Sequence, residues 1–192
     1  AIGDSAGYNT QGTYAVAIGA GAAYESQGTK AIAIGSETGY TSQGPQAIAV
    51  GISAGTYHQG NAAIAIGSSA GGGAQSANAI SIGTNTGFNA QGLSAIAIGA
   101  SAGEQSQANN SIILNATGSI LNANTANTLV VAPIRSDSGN VSTALYYNNT
   151  TKEITYTNSY SNVQVNSYLT SAFTGTISGN VVMQNAFGFV SA

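Results

Sequence analysis

The sequence predicts an all-β chain: a parallel β-roll (a β-solenoid) of about seven to eight sixteen-residue coils over residues 1–126, then a small β-rich module over 127–192. Three observations lead there. Residues 15–110 repeat every sixteen positions without insertion or deletion, each copy close to A-I-A-I-G-x-x-[AT]-G-x-x-x-Q-G-x-x. Within A-I-A-I-G, large and small residues alternate, which is the period of a strand. Gly and Gln return at fixed offsets, as the corners of a stacked coil require. Sixteen residues are too few for the paired helices of helical repeats, and no helical pattern crosses the copy.

The copies open at Ala15, Ala31, Ala47, Ala63, Ala79 and Ala95, and a fading one opens at Ser111 with SIILN. Ala1-Ile2-Gly3 aligns with Ala17-Ile18-Gly19, so the first residue falls inside a coil and a longer protein is expected, with any targeting sequence upstream. Alternation gives each strand a bulky face and a flat one. The bulky face carries Val16, Ile18, Ile32, Ile34, Ile48, Val50, Ile64, Ile66, Ile80, Ile82, Ile96 and Ile98, and is expected to stack into a continuous aliphatic core.

Gly19, Gly35, Gly51, Gly67, Gly83 and Gly99 mark one corner, expected to need positive φ or a close backbone approach. Two further columns run from Gly7 to Gly103 and from Gly12 to Gly92. Gln11, Gln27, Gln43, Gln59, Gln75, Gln91 and Gln107 form a column of amides that can hydrogen-bond along the coil axis; the alternative is an exposed polar binding stripe.

Composition narrows the function. Only 5% of the 192 residues are charged and the net charge is -3; the fixed cations Lys30, Arg135 and Lys152 are scattered, so no nucleic-acid partner is expected. No uninterrupted apolar stretch is long enough to span a bilayer, so no membrane insertion is expected. The absence of Cys removes disulfides and thiolate metal sites. The strict register and the Ile rows argue against disorder despite the Gly, Ser and Asn content. Two large aliphatics per coil bury too little surface to offset the ordering of the backbone, so more must be covered elsewhere. The flat Ala/Gly face is the expected seam with identical chains, which makes the roll an obligate oligomer.

ANAISIG (77–83), LSAIAIG (93–99) and NNSIILN (109–115) resemble the N-S-V-A-I-G repeat of YadA-like heads in trimeric autotransporter adhesins. The resemblance, over residues 1 to about 126, implies a left-handed parallel β-roll, three of which pack into a rigid homotrimeric head that binds host surfaces. TLVVAPIRSDSGNVSTALYYNNTTKEITYTNS (128–159) and YSNVQVNSYLTSAF (160–173) resemble segments of fibre proteins of bacteriophages and large DNA viruses, where the first forms a hairpin. The viral reading is preferred, and a bacterial trimeric adhesin head is the alternative. Both place the chain on a virion surface or at the cell surface and extracellular.

After Asn115 the period decays, and Ile112, Ile113, Leu114, Ile120 and Leu121 are expected to close the roll. TLVVAPI reads as a strand ended by Pro133 and counted with the C-terminal module; Ser138-Gly139-Asn140 reads as a turn, and TALYYN and EITYT flank NNTTK as a hairpin. Residues 161–173 read as a short helix or another strand, and residues 176–190 as strands. The module is small enough to be expected to fold only within a trimer.

No chemistry assembles along the chain. His58 is the single histidine, so no triad or multi-histidine metal site forms in one chain, and it reads as a solvated surface side chain. Asp4, Glu25, Glu37, Glu104, Asp137 and Glu153 never recur at one offset, so no paired acid and base is visible; Glu104 and Asp137 are the carboxylates to test against a depolymerase reading. GSSAGGGAQS (67–76) lacks the Lys and helix of a phosphate loop and reads as turn chemistry. Sequons at Asn109, Asn115, Asn140, Asn148 and Asn149 are expected by chance in such a composition. The candidate ligand-facing column is Tyr8, Tyr24, Tyr40 and Phe88, suited to sugar rings or a protein receptor; the plainer reading has these rings covering a corner or a seam between chains.

The expectation is therefore a non-enzymatic structural and attachment module of a trimeric surface fibre or spike, with no cofactor and no metal, meeting a host glycan or protein receptor. A reading of another class, an ice- or surface-binding solenoid, requires a regular hydroxyl ladder. Offsets 36, 52, 68, 84 and 100 read Ser, Ile, Ser, Thr and Ala, which is not one.

Overall fold

The computed structural model describes residues 1–136 and 143–158. These are all-β, without a helix, and the chain divides into two compact units, Ala1–Arg135 and Ser136–Ala192. In chain order the strands of the first unit are β1 (Thr10–Gln11), β2 (Val16–Ile18), β3 (Ser26–Gln27), β4 (Ile32–Ile34), β5 (Ser42–Gln43), β6 (Ile48–Val50), β7 (Ile64–Ile66), β8 (Ala74–Gln75), β9 (Ile80–Ile82), β10 (Ala90–Gln91), β11 (Ile96–Ile98), β12 (Ala102–Gln107), β13 (Ile112–Asn115), β14 (Leu121–Ala123) and β15 (Leu129–Ala132). A-I-A-I-G segments build an eight-stranded sheet in the order β15-β13-β11-β9-β7-β6-β4-β2. Every pair in it is parallel, and from β2 to β13 each residue pairs with its equivalent one repeat on, as Ile32 with Ile48 and Ile48 with Ile64. The short strands form the facing ladder, β1-β3-β5 and β14-β12-β10-β8, joined through bridges of Gln59 to Gln43 and Gln75. The result is a β-solenoid in which each sixteen-residue copy is one coil.

The alternation read from the sequence is present, but its sense is reversed. Ala17, Ala33, Ala49, Ala65, Ser81 and Ala97 point inward and are essentially inaccessible. Ile18, Ile34, Ile66, Ile82 and Ile98 are exposed, and Ile32, Ile48, Val50, Ile64, Ile80 and Ile96 are half-buried, so the expected aliphatic core lies on the outside of the roll. The cause is the width of the coil. Its two ladders use strands of three and two residues and close over so short a circuit that methyl groups, hydroxyls and the Gln amides fill the interior. The Ala rows accordingly cannot be the seam with another chain. Ala65→Leu is expected to cost about 3 kcal/mol, the upper end for overpacking a filled core, read as a lower urea midpoint at unchanged m-value; an unaltered midpoint would mean that the interior has slack.

The amides hold this narrow core together. Gln27, Gln43, Gln59, Gln75, Gln91 and Gln107 are buried, at 2–4% exposure, which rules out the exposed polar stripe. Each Nε2 donates to the Oε1 of the next coil's Gln, at 3.1, 3.1, 3.2, 3.0 and 3.0 Å from Gln27 to Gln107. Each also donates to the backbone carbonyl eleven residues earlier, as Gln75 to Ile64 at 2.8 Å. All the amides point one way. At the first coil Gln11 donates instead to the Ala15 carbonyl, which leaves Gln27 Oε1 buried without a partner among the described residues.

The corner glycines behave as expected. Gly19, Gly35, Gly51, Gly67, Gly83 and Gly99 have φ of 126, 134, 131, 126, 130 and 108°. A Cβ on Gly51 would stand 2.6 Å from the Gly67 carbonyl oxygen, so both the dihedral and the spacing of the coils exclude a side chain there.

The roll runs past its expected end. β15 pairs in parallel with β13, Ile112 opposite Leu129 and Leu114 opposite Val131, so residues 128–132 belong to the solenoid and not to a separate module beginning at 127. Of the residues expected to close it, Ile113 alone is fully inward, packed with Ala97, Ala102 and Ala123 and flanked by Leu121 and Val130. Ile112 and Leu114 continue the outer rows and Ile120 is exposed.

In the second unit, β16 (Thr143–Tyr147) and β17 (Ile154–Asn158) form the expected antiparallel hairpin, Tyr147 opposite Ile154. Asn148 makes the turn: its Oδ1 accepts from the amides of Thr150 and Thr151 at 2.9 and 3.1 Å, and its carbonyl accepts from Lys152 N, at a residue with φ of 64°. The turn at Ser138–Asn140, the element at 161–173 and the strands at 176–190 lie outside the described residues.

Candidate binding surface

Two features of the outer surface stand apart from ordinary solvated polar rows. The first is the outward face of the eight-stranded sheet. Val16, Ile18, Ile34, Ile66, Ile82, Ile98, Leu114 and Val131 are 37–41% exposed, with the half-buried Ile rows beside them, and no polar side chain interrupts them between β2 and β13 up to Leu114. At the β13–β15 end this face dips into an apolar notch of about 270 Å³ lined by Ile98, Leu114, Val131 and Pro133 among others. Strand pleating puts these side chains outside because the Ala positions between them must point in.

The second is the tyrosine corner. Tyr8, Tyr24 and Tyr40 stack face to face, with ring centroids 4.9 Å apart in both steps and interplanar angles of 7 and 4°. That interval is the rise between parallel strands, so a column fixed at the repeat period is forced into register. The stack stops there because the next two equivalents are Thr56 and Gly72. Phe88, the fourth member of the expected column, is not part of it; its ring lies over Gly72, where a Cβ would come within 3.0 Å of it. The sequence thus identified the column, and the structure brings three of its four rings together.

Beside Tyr24 and Tyr40 the corner opens into a niche of about 230 Å³, completed by Asp4, Ser5, Ala20, Gly21, Ser36 and Glu37. The position of Ser5, Gly21, Glu37, Ser53, Ser69, Asn85 and Ser101 has φ near 55–65° in every coil, and Gly21 is its single glycine. Its missing side chain makes the room: a Cβ there would meet the edge of the Tyr40 ring at 3.4 Å and Glu37 Cγ at 3.8 Å. Asp4 and Glu37 flank the gap from the coils before and after, both exposed, and neither carboxylate has a hydrogen-bond or ionic partner within the described residues. The sequence does not pair these carboxylates, because they occupy neighbouring offsets and not one; the lone glycine in an otherwise side-chain-bearing column is the available signal.

The remaining candidates stay separate. His58 is exposed with φ of 50°, at the break between β5 and β8. Glu104 lies in β12, half-buried, and Asp137 lies outside the described residues. Among the described residues no three His, Cys, Asp or Glu side chains stand close enough to hold a metal ion. Compared with protein-family models, with curated proteins and with solved structures, the chain matches none of them.

Proposed function

We propose that the chain is the rigid attachment module of a homotrimeric surface fibre or spike, a left-handed roll of the YadA-like kind, exposed on a virion or cell surface and performing no catalysis of its own. The observation that supports this reading is the outer Ile/Val face. A soluble monomer rarely leaves a contiguous apolar patch of more than a few hundred Å² in water, and this one follows the sheet from β2 to β15. Its side chains recur at the strand rise, and a second and third copy of the same roll, aligned about a shared axis, offer matching rows at the same spacing. The surface that a single narrow coil cannot bury is thereby covered, with the Ile rows at the seam where the Ala rows were expected. The C-terminal hairpin and the viral-fibre resemblance of 128–173 point in the same direction.

Light scattering on the intact chain tests the assembly. A trimer mass is expected, and the double variant Ile34→Arg/Ile66→Arg is expected to reduce it to a monomer that keeps its β-type circular dichroism. Those two side chains face outward, so the change spares the interior. A wild-type monomer would refute the reading.

A further inference from the structure

We propose that the niche between the tyrosine stack and Gly21 is a binding subsite for an uncharged glycan, one or two sugar units of a longer chain. The proposal rests on the attachment reading for its setting and names the ligand class of that attachment. At about 230 Å³ the niche is smaller than the ~300–1,000 Å³ pockets that take drug-sized ligands, which suits part of a chain whose remainder lies in solvent. Its polar groups are the right kind for sugar hydroxyls. Asp4 and Glu37 are free carboxylates that accept O–H donors in short charge-assisted bonds, and phenolic oxygens both donate and accept. Ala20, whose methyl lines the niche beside Gly21, adds an apolar contact for the C–H groups of a pyranose ring.

The stacking decides between a sugar and a cation. A cation gains from an aromatic ring over its negative face, but Tyr8 and Tyr40 cover both faces of Tyr24, and Tyr24 covers the Tyr40 face turned towards it, within 7° of parallel at 4.9 Å. What Tyr40 turns towards Gly21 is its ring edge, Cε2 and Cδ2, which carries the positive end of the quadrupole. An ammonium group would find the carboxylates without the ring faces; a polyol uses edges, hydroxyls and carboxylates together.

The column also supplies a variant that closes the niche without disturbing the roll. Asn85 holds the equivalent position at φ of 54°, and a Cβ at Gly21 meets the Tyr40 ring at an ordinary contact distance of 3.4 Å. Gly21→Asn therefore fills the niche with a side chain this corner already accepts. The full chain is titrated by calorimetry with uncharged glucan, mannan and galactan oligosaccharides, and separately with chitosan oligomers and a lysine-rich peptide. At least one uncharged oligosaccharide is expected to bind wild type, with affinity changing less than twofold between low and ~0.5 M salt because no charge is neutralised. Gly21→Asn and Tyr24→Ala are each expected to weaken it at least tenfold, with the melting temperature of Gly21→Asn lowered by no more than about 4 °C, the effect of ~1 kcal/mol of left-handed strain. Absence of binding by every uncharged oligosaccharide, binding that survives Gly21→Asn, or salt-sensitive binding of the cationic probes alone would overturn the proposal. The mass of the same preparation and its adhesion to whole cells separate the two readings: a trimer that adheres equally well with Gly21→Asn removes the subsite and keeps the fibre.

Discussion

Gln75→Leu is expected to destabilise the chain by about 3–5 kcal/mol, although leucine nearly matches the volume it replaces. Gln75 is 2% exposed and donates to the carbonyls of Ile64 and Ala79 at 2.8 and 3.3 Å and to Gln91 Oε1 at 3.0 Å, while accepting from Gln59 at 3.2 Å. Each buried group left unpaired costs about 1–3 kcal/mol. Gln59 keeps its bond to Ile48, Gln91 Oε1 keeps the Ser81 hydroxyl and the Ala79 carbonyl keeps the Ile64 amide, so the loss concentrates on the Ile64 carbonyl and on the amide bonds of the broken row. For a chain of this size ~1 kcal/mol moves the melting temperature by about 2–4 °C, so a fall of about 6–20 °C is anticipated in a thermal melt. A drop below ~2 °C would show that the amides serve only to fill space. Gln75→Glu adds a pH signature. Burial favours the neutral carboxyl, so its folded pKa stands above the unfolded value of about 4.3. The sign follows: stability is greatest below the unfolded pKa and is lost as pH rises through the folded one.

Gly51→Ala is expected to cost at least ~3 kcal/mol, against ~1–2 kcal/mol for Gly39→Ala. Gly51 has φ of 131°, a region that side chains do not enter without ~1–3 kcal/mol of strain. The added methyl would also stand 2.6 Å from the Gly67 carbonyl oxygen. Relief requires parting two coils held there by Gly51 N to Ile34 O and Gly67 N to Val50 O, each 2.8 Å. Gly39 has φ of 57°, and its equivalent one coil earlier is already Ala23, at 52°. The strain of a single left-handed residue, ~1–2 kcal/mol, is the main cost expected there, since the new Cβ meets only the end of the Gln43 side chain, 3.1 Å from Cδ, and not backbone. Urea denaturation of the two variants side by side measures the difference; equal losses would place the penalty in the loss of glycine's flexibility and not in coil spacing.

These two positions also show what the sequence could reveal. The repeat period, the strand alternation, the glycine corners and the amide column were all legible, because each is a regularity that stacked coils must express in register. Which face of A-I-A-I-G turns inward was not. Alternation defines two faces without ranking them, and the usual preference for bulky side chains inside fails when the coil is too narrow to admit them. Ala49 and Ala65 lie inside for that reason, with Ile48, Val50, Ile64 and Ile66 around the outside. The end of the roll is masked in the sequence because the copy-to-copy identities fade after Asn115, while Leu129, Val130 and Val131 still keep the strand's alternation and pairing. At the tyrosine corner the aromatic column was visible as a column. The niche beside it was not, since it depends on Asp4 and Glu37 meeting across Gly21 from different offsets. Regularity announces itself in a repeat, whereas a recess arises where one copy departs from it.

The one-way amide row has a consequence for how such a protein changes over generations. From Gln43 to Gln91 every coil receives one amide hydrogen bond from the coil before it and gives one to the coil after, and its backbone partners lie about one copy away. A gene that gains or loses one complete copy through slippage between its own repeats therefore restores every partner in the encoded chain, while a change of any other length misplaces the glycines and amides of a whole coil. Length is a heritable variable of this molecule that moves in whole coils, and reach can be tuned without altering a single contact already made.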